Sequence, residues 1–276
     1  MPELPEVETM CRGLRPLLGR RIADVTLPAC RYRPIVIQPA IGTIQQQLVG
    51  GAIDQISRLG KRVVLHISPH VLVLQPKMTG LVSLELPPSH EHVRLQIDFK
   101  GQPRLRMLFW DRRGLGTVEM LLEEELHQRI VQGRLGPDAL AITLAEFRQR
   151  LSSTSRAIKV ALLDQKLLAG VGNLYASEML HQARIHPARV CSSLSSKKTA
   201  ALHAAMLEIL LTAIEHEGST LSDGTYRNAL NDPGSYQNMH RVYDRAGELC
   251  PQCQRSKIVR IVQAQRSTFY CPTCQR

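Results

Sequence analysis

The residues that could do chemistry begin at the first positions of the chain, which read Met1-Pro2-Glu3-Leu4. If the initiator Met is removed, Pro2 becomes an N-terminal secondary amine, and the carboxylate of Glu3 lies next to it. A secondary amine can attack an aldehyde-like carbon to form an iminium, and an adjacent carboxylic acid can donate the proton that opens a sugar ring. The alternative is a chemically inert terminus that begins a helix, with Pro5 near its first turn.

The strongest local motif lies near the other end, where Cys250 and Cys253 are followed after 17 residues by Cys271 and Cys274. Two C-x-x-C pairs at this separation predict one tetrahedral structural zinc ion, with a pair at each knuckle of a β-hairpin. The segments 258–264 and 266–270 alternate as hairpin strands do. The total of seven cysteines is odd and only four of them cluster, which indicates a reducing compartment rather than a disulfide framework. The isolated cysteines are Cys11, Cys30 and Cys191.

An excess of positive charge indicates a polyanionic partner. The 276 residues include 35 Lys and Arg against 24 Asp and Glu, a formal net charge of +11. Residues 240–276 hold seven of the cations and two of the acids, a net charge of +5, as a module that binds phosphates needs. A structural knuckle with a solvated basic face is the alternative. Aromatic residues make up 4% of the chain, which favours a duplex held through its phosphates over a base-stacking platform.

Two further stretches have weaker local signals. Gly170-Val171-Gly172-Asn173 could bring backbone N–H groups and a helix N-terminus to a phosphate, and a helix–helix turn without a ligand fits equally well. Lys61 precedes an apolar strand, where most lysines are solvated strand ends. Four loop residues each fit an ordinary core or surface position when they are taken one at a time: Met78, His90, Arg113 and Leu115.

The elements that must position these residues change character along the chain. Residues 5–18 place apolar side chains at helical spacing, with Pro16 expected to shorten the helix and Gly19 to follow it. From residue 20 to about residue 122, short apolar or alternating segments punctuated by Gly, Pro and Ser predict an antiparallel β-sandwich or barrel. The predicted strands include 62–67, 71–74, 81–86, 93–99 and 104–109.

The chain breaks at 133–138, and helical periodicity follows. Predicted helices cover 144–151, 158–169 and 196–217, the last with one continuous apolar stripe. Residues 218–240 are polar and rich in Gly, and they predict a long loop of the kind that is functional or mobile. No apolar run reaches the roughly 20 residues of a transmembrane helix. The acidic N-terminus lacks the basic and apolar regions of a signal peptide, so we expect neither membrane insertion nor secretion.

Taken together, these stretches resemble the formamidopyrimidine-DNA glycosylase family of base-excision repair enzymes. The related endonuclease VIII branch also begins with Pro-Glu, but the continuation Leu-Pro-Glu-Val-Glu is similar to the formamidopyrimidine branch. The matching stretches run in order along nearly the whole chain: 2–8, 60–61, 77–80, 90–93, 111–116, 135–137, 157–176, 185–187 and 265–272.

The resemblance implies an α+β chain in three parts. Residues 1–132 would form a catalytic β-sandwich domain flanked by helices, and residues 137–238 a helical helix–two-turn–helix domain that binds DNA. Residues 240–276 would form a β-hairpin zinc finger. The sandwich and the zinc hairpin agree with the patterns read from the residues themselves.

The resemblance further implies a bifunctional DNA glycosylase and AP lyase. Pro2 would attack the sugar C1′ of a flipped, damaged nucleotide and expel the base, with Glu3 as the proton donor. The resulting Schiff base would act as the electron sink for β,δ-elimination, in which the 3′ and then the 5′ phosphate leave. By position, Lys61 matches the lysine that contacts the lesion phosphate and assists elimination. Arg266 matches the phosphate-binding arginine of the zinc hairpin.

A set of DNA contacts is also implied. His90 and Asn173 match backbone contacts, whereas Met78, Arg113 and Leu115 match the residues that fill the gap left by the flipped base. Leu115 stands where a phenylalanine is usual, so the wedge is aliphatic and stacks less well.

Two departures from the family pattern concern the helical part of the chain. The run 154–156 replaces one that is usually richer in lysine; Arg156 is expected to substitute there, and Lys159 to lie among the DNA contacts. In the loop that caps the extruded base in this family, residues 225–228 differ from the usual pattern, which leaves the substrate preference open.

The expected function is removal of oxidised purines, such as 8-oxoguanine and formamidopyrimidines, from damaged double-stranded DNA. We expect a cytoplasmic monomer that is associated with the nucleoid through its DNA. One alternative keeps the chemistry and acts on oxidised pyrimidines. The other is a non-catalytic homologue that binds damaged DNA, and the presence of Pro2, Glu3 and Lys61 together favours an enzyme over it.

Overall fold

The computed structural model describes residues 2–84, 86–101, 103–220, 226–228 and 232–276. The chain divides into two compact units. Unit 1 contains Met1–Gln132 and Ile214–Gln237, and unit 2 contains Gly133–Ala213 and Asn238–Arg276.

The chain contains both α-helices and β-strands, in agreement with the predicted α+β class. The α-helices are α1 (Leu4–Gly13), α2 (Ile41–Leu48), α3 (Glu123–Leu126), α4 (Leu144–Ser152), α5 (Ile158–Leu162), α6 (Asn173–Gln182) and α7 (Ser196–Glu215). The strands are β1 (Ile22–Thr26), β2 (Val36–Gln38), β3 (Gln55–Leu59), β4 (Arg62–Ile67), β5 (His70–Gln75), β6 (Gly80–Leu84), β7 (Val93–Phe99), β8 (Arg106–Asp111), β9 (Thr117–Leu122), β10 (Val259–Gln263) and β11 (Arg266–Tyr270). Short 3₁₀ turns cover Arg15–Leu17, His90–His92, Cys191–Ser193 and Tyr236–Met239, and a π turn covers His127–Val131.

Unit 1 is a β-sandwich, as predicted. One sheet has the strand order β1-β7-β8-β6 and the other β2-β9-β5-β4-β3. All neighbouring strands are antiparallel except β2 and β9, which pair in parallel. The apolar faces of the two sheets and of α1 meet in one core, which includes Val7, Met10, Phe99 and Trp110. The core therefore fixes α1 against the sheets.

The first helix and the predicted strands agree with the structure to within one or two residues at most of their ends. The predicted helix 5–18 ends early, at Gly13, and continues only as the 3₁₀ turn Arg15–Leu17. Pro16 is the physical reason, because proline lacks the N–H that a longer α-helix would use. Predicted strands 62–67 and 93–99 have the observed bounds of β4 and β7.

Unit 2 contains the predicted helices, but the prediction of a helix over 158–169 is wrong beyond Leu162, where α5 ends. The side chain of Gln165 closes a turn instead: its Nε2 donates to the carbonyl of Val171 at 2.9 Å, and its Oε1 accepts from the N–H of Gly170 at 3.0 Å. Gly170 has φ +104°, a conformation that glycine adopts without strain. This turn delivers the chain to the start of α6.

Helix α7 matches the predicted helix 196–217 closely. Part of the predicted loop 218–240 lies outside the described residues, namely 221–225 and 229–231. Within the described part of the chain, no helix has the length and apolar character needed to cross a bilayer. The zinc module of unit 2 consists of the β10–β11 hairpin and the two cysteine pairs.

Candidate active site

The N-terminal dipeptide is enclosed, not frayed. Pro2 is buried and the side chain of Glu3 is 3% exposed. Glu3 is the N-cap residue of α1, and its backbone N–H donates to Oε2 of Glu6 at 2.8 Å, one half of a capping box. Pro5 occupies the first turn, where a missing N–H costs nothing. The start of α1 therefore holds both candidate catalytic residues.

The second carboxylate oxygen of Glu6 binds a distant part of unit 1. Oε1 accepts from the backbone N–H of Ser219 at 2.9 Å. The neighbouring Gly218 has φ +80°, and a Cβ there would lie 2.8 Å from Oε1 of Glu6, so glycine is required. Tyr226 lies close by and donates its hydroxyl to the carbonyl of Glu217 at 2.9 Å. Burial and then the charge of Glu6 raise the pKa of Tyr226 well above its usual value, so its hydroxyl stays protonated.

Lys61 lies in the tight turn of the β3–β4 hairpin and is half-buried. An ion pair ties this hairpin to α1: Nε of Arg58 donates to Oε2 of Glu8 at 3.1 Å. Nη1 of Arg58 also donates to the carbonyl of Gly60, at 3.0 Å, and so holds the turn beside Lys61. Because Glu8 belongs to α1, the same helix positions Pro2, Glu3 and the hairpin that carries Lys61.

Cys11 adds a second link between α1 and the same hairpin. Its Sγ donates to the carbonyl of Ser57 at 3.4 Å. Burial and then the charge of Glu8 raise the pKa of the Cys11 thiol to about 12. The thiol is therefore neutral at physiological pH and serves packing.

The residues proposed to fill the gap of a flipped base lie on two loops of unit 1. Met78 is 38% exposed in the β5–β6 turn, Arg113 is exposed and Leu115 is half-buried in the β8–β9 loop. Gly114, between the last two, has φ +61°, and a Cβ there would collide with the carbonyl of Arg33. The tight turn at Gly114 thus requires glycine.

One carboxylate organises both loops. Asp111 at the end of β8 is fully buried and accepts from the hydroxyl of Thr79, next to Met78, at 2.5 Å. It also accepts from the backbone N–H groups of Arg113 at 3.1 Å, Leu115 at 2.7 Å and Gly116 at 2.7 Å. Sequence reasoning missed this residue, although an Asp before a Gly-containing turn is a known loop former. Asp111 fixes the two loops relative to each other.

Arg94 supports the same strand end from behind. It is 4% exposed, and its Nε donates to the carbonyl of Asp111 at 2.8 Å. His90 is exposed on the 3₁₀ turn before β7. In that turn, His92 packs against the rings of Tyr32 and Trp110, with centroid distances of 4.5 and 5.6 Å. The exposed His90 is thus presented from a well-packed turn.

In unit 2, Asn173 is the first residue of α6, and it is connected to the zinc hairpin. Its Oδ1 accepts from Nζ of Lys159 at 2.8 Å, and its Nδ2 donates to the carbonyl of Ser267 at 3.0 Å. Lys159, which the resemblance places among the DNA contacts, is 1% exposed. Its ammonium also donates to the carbonyl of Ser267 at 2.9 Å and to the hydroxyl of Thr268 at 2.6 Å. These acceptors compensate the buried charge, so Lys159 braces Asn173 and β11 from inside.

Arg266 is exposed at the start of β11, directly after the turn of the zinc hairpin. The two turn residues, Ala264 and Gln265, have φ +46° and +61°. Two-residue hairpin turns favour this left-handed backbone, which Asn and Gly adopt more readily than Ala and Gln. The turn therefore carries backbone strain next to Arg266.

Arg156 is exposed just before α5, and its Nη1 lies 2.8 Å from Oδ2 of Asp164. Partial burial raises the pKa of Asp164, but the hydrogen bonds from Arg156 and from the N–H of Lys166 outweigh it and lower the pKa overall. Arg156 is thus presented at the surface with one carboxylate partner.

The four clustered cysteines have the geometry of a zinc site. Their Sγ atoms lie within 4.8 Å of one another, with 3.9 Å between Cys250 and Cys274 and 3.7 Å between Cys253 and Cys271. A tetrahedral ion with Zn–S bonds of about 2.3 Å separates its sulfurs by about 3.8 Å. The backbone N–H groups of Arg255 and then Ser256 lower the pKa of the Cys253 thiol to about 6, whereas burial raises that of Cys271. Crowded thiols of this kind become thiolates together when a cation binds, so the donor set fits Zn²⁺.

Helix α6 anchors the segment that leads into the zinc module. Glu178 is 1% exposed and accepts from the backbone N–H groups of Arg241, Val242 and Tyr243 at 2.9, 3.0 and 2.7 Å. Val242 in turn packs in the small core of the module. Sequence reasoning missed Glu178, because its partners are backbone groups that no motif reveals.

The chain is similar to known proteins over its whole length. Residues 1–118 match the formamidopyrimidine-DNA glycosylase N-terminal domain, residues 135–225 the formamidopyrimidine-DNA glycosylase H2TH domain, and residues 247–276 a zinc finger found in FPG and IleRS. The chain is 39% identical over 281 residues to the formamidopyrimidine-DNA glycosylase of Chloroflexus aurantiacus, covering 100% of this chain and 98% of the relative.

Solved structures agree with this assignment. The chain is similar to wild-type Lactococcus lactis Fpg (MutM) in complex with DNA that contains N7-benzyl-Fapy-dG, with a TM-score of 0.88 and 31% identity over 100% of both chains. It is also similar to Lactococcus lactis Fpg in complex with DNA that contains an abasic site, with a TM-score of 0.88 and 30% identity over 99% of both chains. The chain therefore belongs to the formamidopyrimidine-DNA glycosylase family: it is a base-excision repair enzyme with glycosylase and lyase activity that binds DNA and carries one structural zinc ion.

Proposed function

We propose that this enzyme removes 8-oxoguanine and formamidopyrimidines from duplex DNA and then cleaves the abasic site by β,δ-elimination. The observation that supports this most directly is the enclosed dipeptide Pro2-Glu3 at the capped start of α1. An amine and a carboxyl group held side by side are the groups that an iminium mechanism needs. The substrates named for the relatives support the class of lesion.

In the proposed reaction, once Met1 is removed, the nitrogen of Pro2 attacks C1′ of a flipped nucleotide. The bond between C1′ and the base breaks, and the base leaves with a proton. Glu3 donates a proton to the ring oxygen as the C1′–O bond opens, which leaves an iminium between Pro2 and C1′. A proton is then lost from C2′, the 3′ C–O bond breaks and the 3′ phosphate leaves. Loss of a second proton, from C4′, then breaks the 5′ C–O bond and releases the 5′ phosphate. A secondary amine suits this sequence, because its iminium stays cationic and electrophilic.

The other predicted residues have proposed roles around this reaction. Lys61 and Arg266 bind the phosphates next to the lesion, and Lys61 assists elimination. Met78, Arg113 and Leu115 fill the space of the flipped nucleotide and offset part of the unstacking cost, a few kcal/mol. Further backbone contacts are assigned to His90, Asn173 and Arg156. For Lys159 the proposal is indirect: its buried ammonium holds Asn173 and the strand of Arg266 in place.

A panel of single-lesion duplexes with end-group analysis of the products tests this proposal. We expect faster cleavage at 8-oxoguanine and formamidopyrimidines than at oxidised pyrimidines, with phosphate left at both ends of the gap. A preference for oxidised pyrimidines would favour the endonuclease VIII-like alternative. Binding to lesions without any cleavage would favour the non-catalytic homologue. We further propose a cytoplasmic, nucleoid-associated monomer, and light scattering of the DNA complex tests the monomer.

Borohydride trapping tests the role of Pro2 itself. The wild-type enzyme is expected to form a covalent complex with damaged DNA. A Pro2→Gly variant retains an amine, so its rates of trapping and nicking must be measured quantitatively, with chemical blocking of the N-terminus as a cleaner companion. Trapping and nicking at the wild-type rate in the Pro2→Gly variant would sink the mechanism.

A further inference from the structure

One side chain of α6 contacts a zinc ligand directly. His181 is 0% exposed, and its Nε2 lies 3.4 Å from Sγ of Cys250. This distance suits a hydrogen bond between an imidazole and a sulfur. Cys250 is also fully buried, so the contact is shielded from water, and electrostatic interactions in such a place are stronger than at the surface.

The chemistry of the site decides which atom donates in this contact. A neutral imidazole carries one N–H, on either Nδ1 or Nε2. A zinc-bound cysteine is a thiolate, which only accepts hydrogen bonds, so the hydrogen must lie on Nε2 of His181. Nδ1 of His181 is buried and has no hydrogen-bond partner in the described part of the chain. No described group therefore holds the hydrogen on the Nδ1 side.

Two other side chains of α6 fix the position from which His181 reaches the zinc module. At the start of the helix, Asn173 donates to the carbonyl of Ser267, and in the middle Glu178 accepts from three backbone N–H groups of 241–243. In sequence, the Glu178 contacts lie before the first cysteine pair, and the Asn173 contact lies between the two pairs. The imidazole is consequently held by the helix in a fixed relation to Cys250.

We propose that His181 belongs to the outer shell of the zinc site, where it donates Nε2–H to the zinc-bound sulfur of Cys250 and slows loss of the metal. A hydrogen bond to a thiolate spreads its negative charge and makes the sulfur less available to a proton or a competing chelator. Outer-shell partners of this kind typically change metal affinity by about 10- to 100-fold. The inference depends on the zinc site alone and not on the proposed substrate or the Schiff base.

The first test measures zinc release from the full-length, zinc-loaded protein to the chromophoric chelator 4-(2-pyridylazo)resorcinol. The variant His181→Phe keeps an aromatic ring and removes the donor, and we expect release about tenfold faster or more. The matched control is His203→Phe in the same unit. His203 packs on Phe147, and its Nε2 lies 2.9 Å from the carbonyl of Ile142; neither of these residues is a zinc ligand. This control is expected to release zinc within about twofold of the wild-type rate.

The second test needs no variant to fold. Nitrogen-15 NMR of the zinc-loaded wild-type protein reports which ring nitrogen of His181 carries the hydrogen, and we expect Nε2. The Nδ1–H tautomer in the loaded protein would overturn the proposal. A folded His181→Phe variant that releases zinc at the wild-type rate would overturn it equally. If His181 served packing alone, no particular tautomer would be expected. The His181→Phe and His203→Phe variants would then release zinc at similar rates.

Discussion

The carboxylate of Glu6 accepts a hydrogen bond from the backbone N–H of Ser219 at 2.9 Å, although the two residues lie 213 positions apart in the sequence. The other oxygen of the same carboxylate binds the N–H of Glu3. One side chain thus connects the proposed catalytic dipeptide to the beginning of the segment that follows α7. We therefore expect a change at Ser219 to alter the position of Glu3 through Glu6.

The variant Glu6→Gln is expected to slow single-turnover cleavage of an 8-oxoguanine duplex by about 10- to 100-fold. The physical reason is that the amide of Gln replaces one of the two carboxylate oxygens with an NH₂ group, which cannot accept the backbone hydrogen bond. A buried hydrogen bond to a charged group is worth about 1.5–3 kcal/mol, which corresponds to this change in rate if the bond positions the catalytic groups. Rapid-quench kinetics measures the effect. Glu124→Gln, at an exposed position of α3, is the matched control and should cleave normally. Normal cleavage by Glu6→Gln would show that Glu6 does not position the dipeptide.

Replacing Asp111 by asparagine is expected to lower the free energy of unfolding by about 1–3 kcal/mol, because buried N–H donors of the β8–β9 loop lose an acceptor. The same change should reduce the fluorescence rise of 2-aminopurine placed opposite a lesion, which reports entry of the wedge. Urea unfolding and stopped-flow fluorescence check the two effects. Asp24→Asn, at a half-buried carboxylate in β1, serves as the control for both. An unfolding curve and fluorescence trace like those of Asp24→Asn would contradict the role given to Asp111.

For Arg266, the prediction concerns the salt dependence of DNA binding. Arg266→Gln should weaken binding to damaged and undamaged duplexes alike and reduce the slope of log Kd against log salt by about one. Fluorescence anisotropy at several salt concentrations measures this slope. Arg255→Gln removes another exposed cation from the same module, at the cysteine knuckle and not at the hairpin turn. Equal slopes for the two variants would mean that Arg266 has no special phosphate contact.

A buried histidine makes the stability of unit 2 depend on pH. Burial and then the charge of Arg245 lower the pKa of His240 from 6.5 to about 4. The unfolded chain therefore binds more protons than the folded chain between these values, so the free energy of unfolding falls as the pH falls from 6.5 towards 4. The contribution of His240 is up to about 3 kcal/mol and is fully present above pH 6.5.

Urea unfolding of the wild-type protein and of His240→Phe, compared across this pH range, measures that contribution as a difference. The comparison is needed because the zinc ligands add an acid sensitivity of their own. The exposed His127 provides the control variant His127→Asn, whose profile should follow the wild type. A His240→Phe profile that also follows the wild type throughout would refute the prediction.

Much of the architecture could be predicted because its causes are local. A short apolar segment predicted β4 and an alternating one predicted β7, both with their observed bounds, and the apolar stripe in 196–217 predicted α7. The C-x-x-C pairs likewise predicted the cysteine cluster, because the sequence spacing of the cysteines is itself typical of zinc ligands. Local patterns also have a limit: α5 ends at Leu162, where a side-chain hydrogen bond from Gln165 overrides helical periodicity.

The residues that organise the site could not be predicted in the same way. Glu6, Asp111 and Glu178 each accept from backbone N–H groups, which every residue other than proline has, so the sequence does not show which distant N–H each carboxylate binds. The burial of Lys159 could not be predicted either, because two of its acceptors, at Ser267 and Thr268, lie on β11, more than a hundred residues away. Such contacts are defined only once the chain has folded.

The left-handed backbone at Ala264 and Gln265 indicates that natural selection has not maximised the stability of this hairpin. A chain optimised for stability alone would place Asn and Gly at two successive left-handed positions, and this hairpin does not. Natural proteins keep such sites when stability is already sufficient or when function would suffer from the change. We therefore expect Ala264→Asn and Gln265→Gly each to raise the free energy of unfolding, which urea unfolding measures. Loss of repair activity in either variant would then show that selection has kept the strained turn for function.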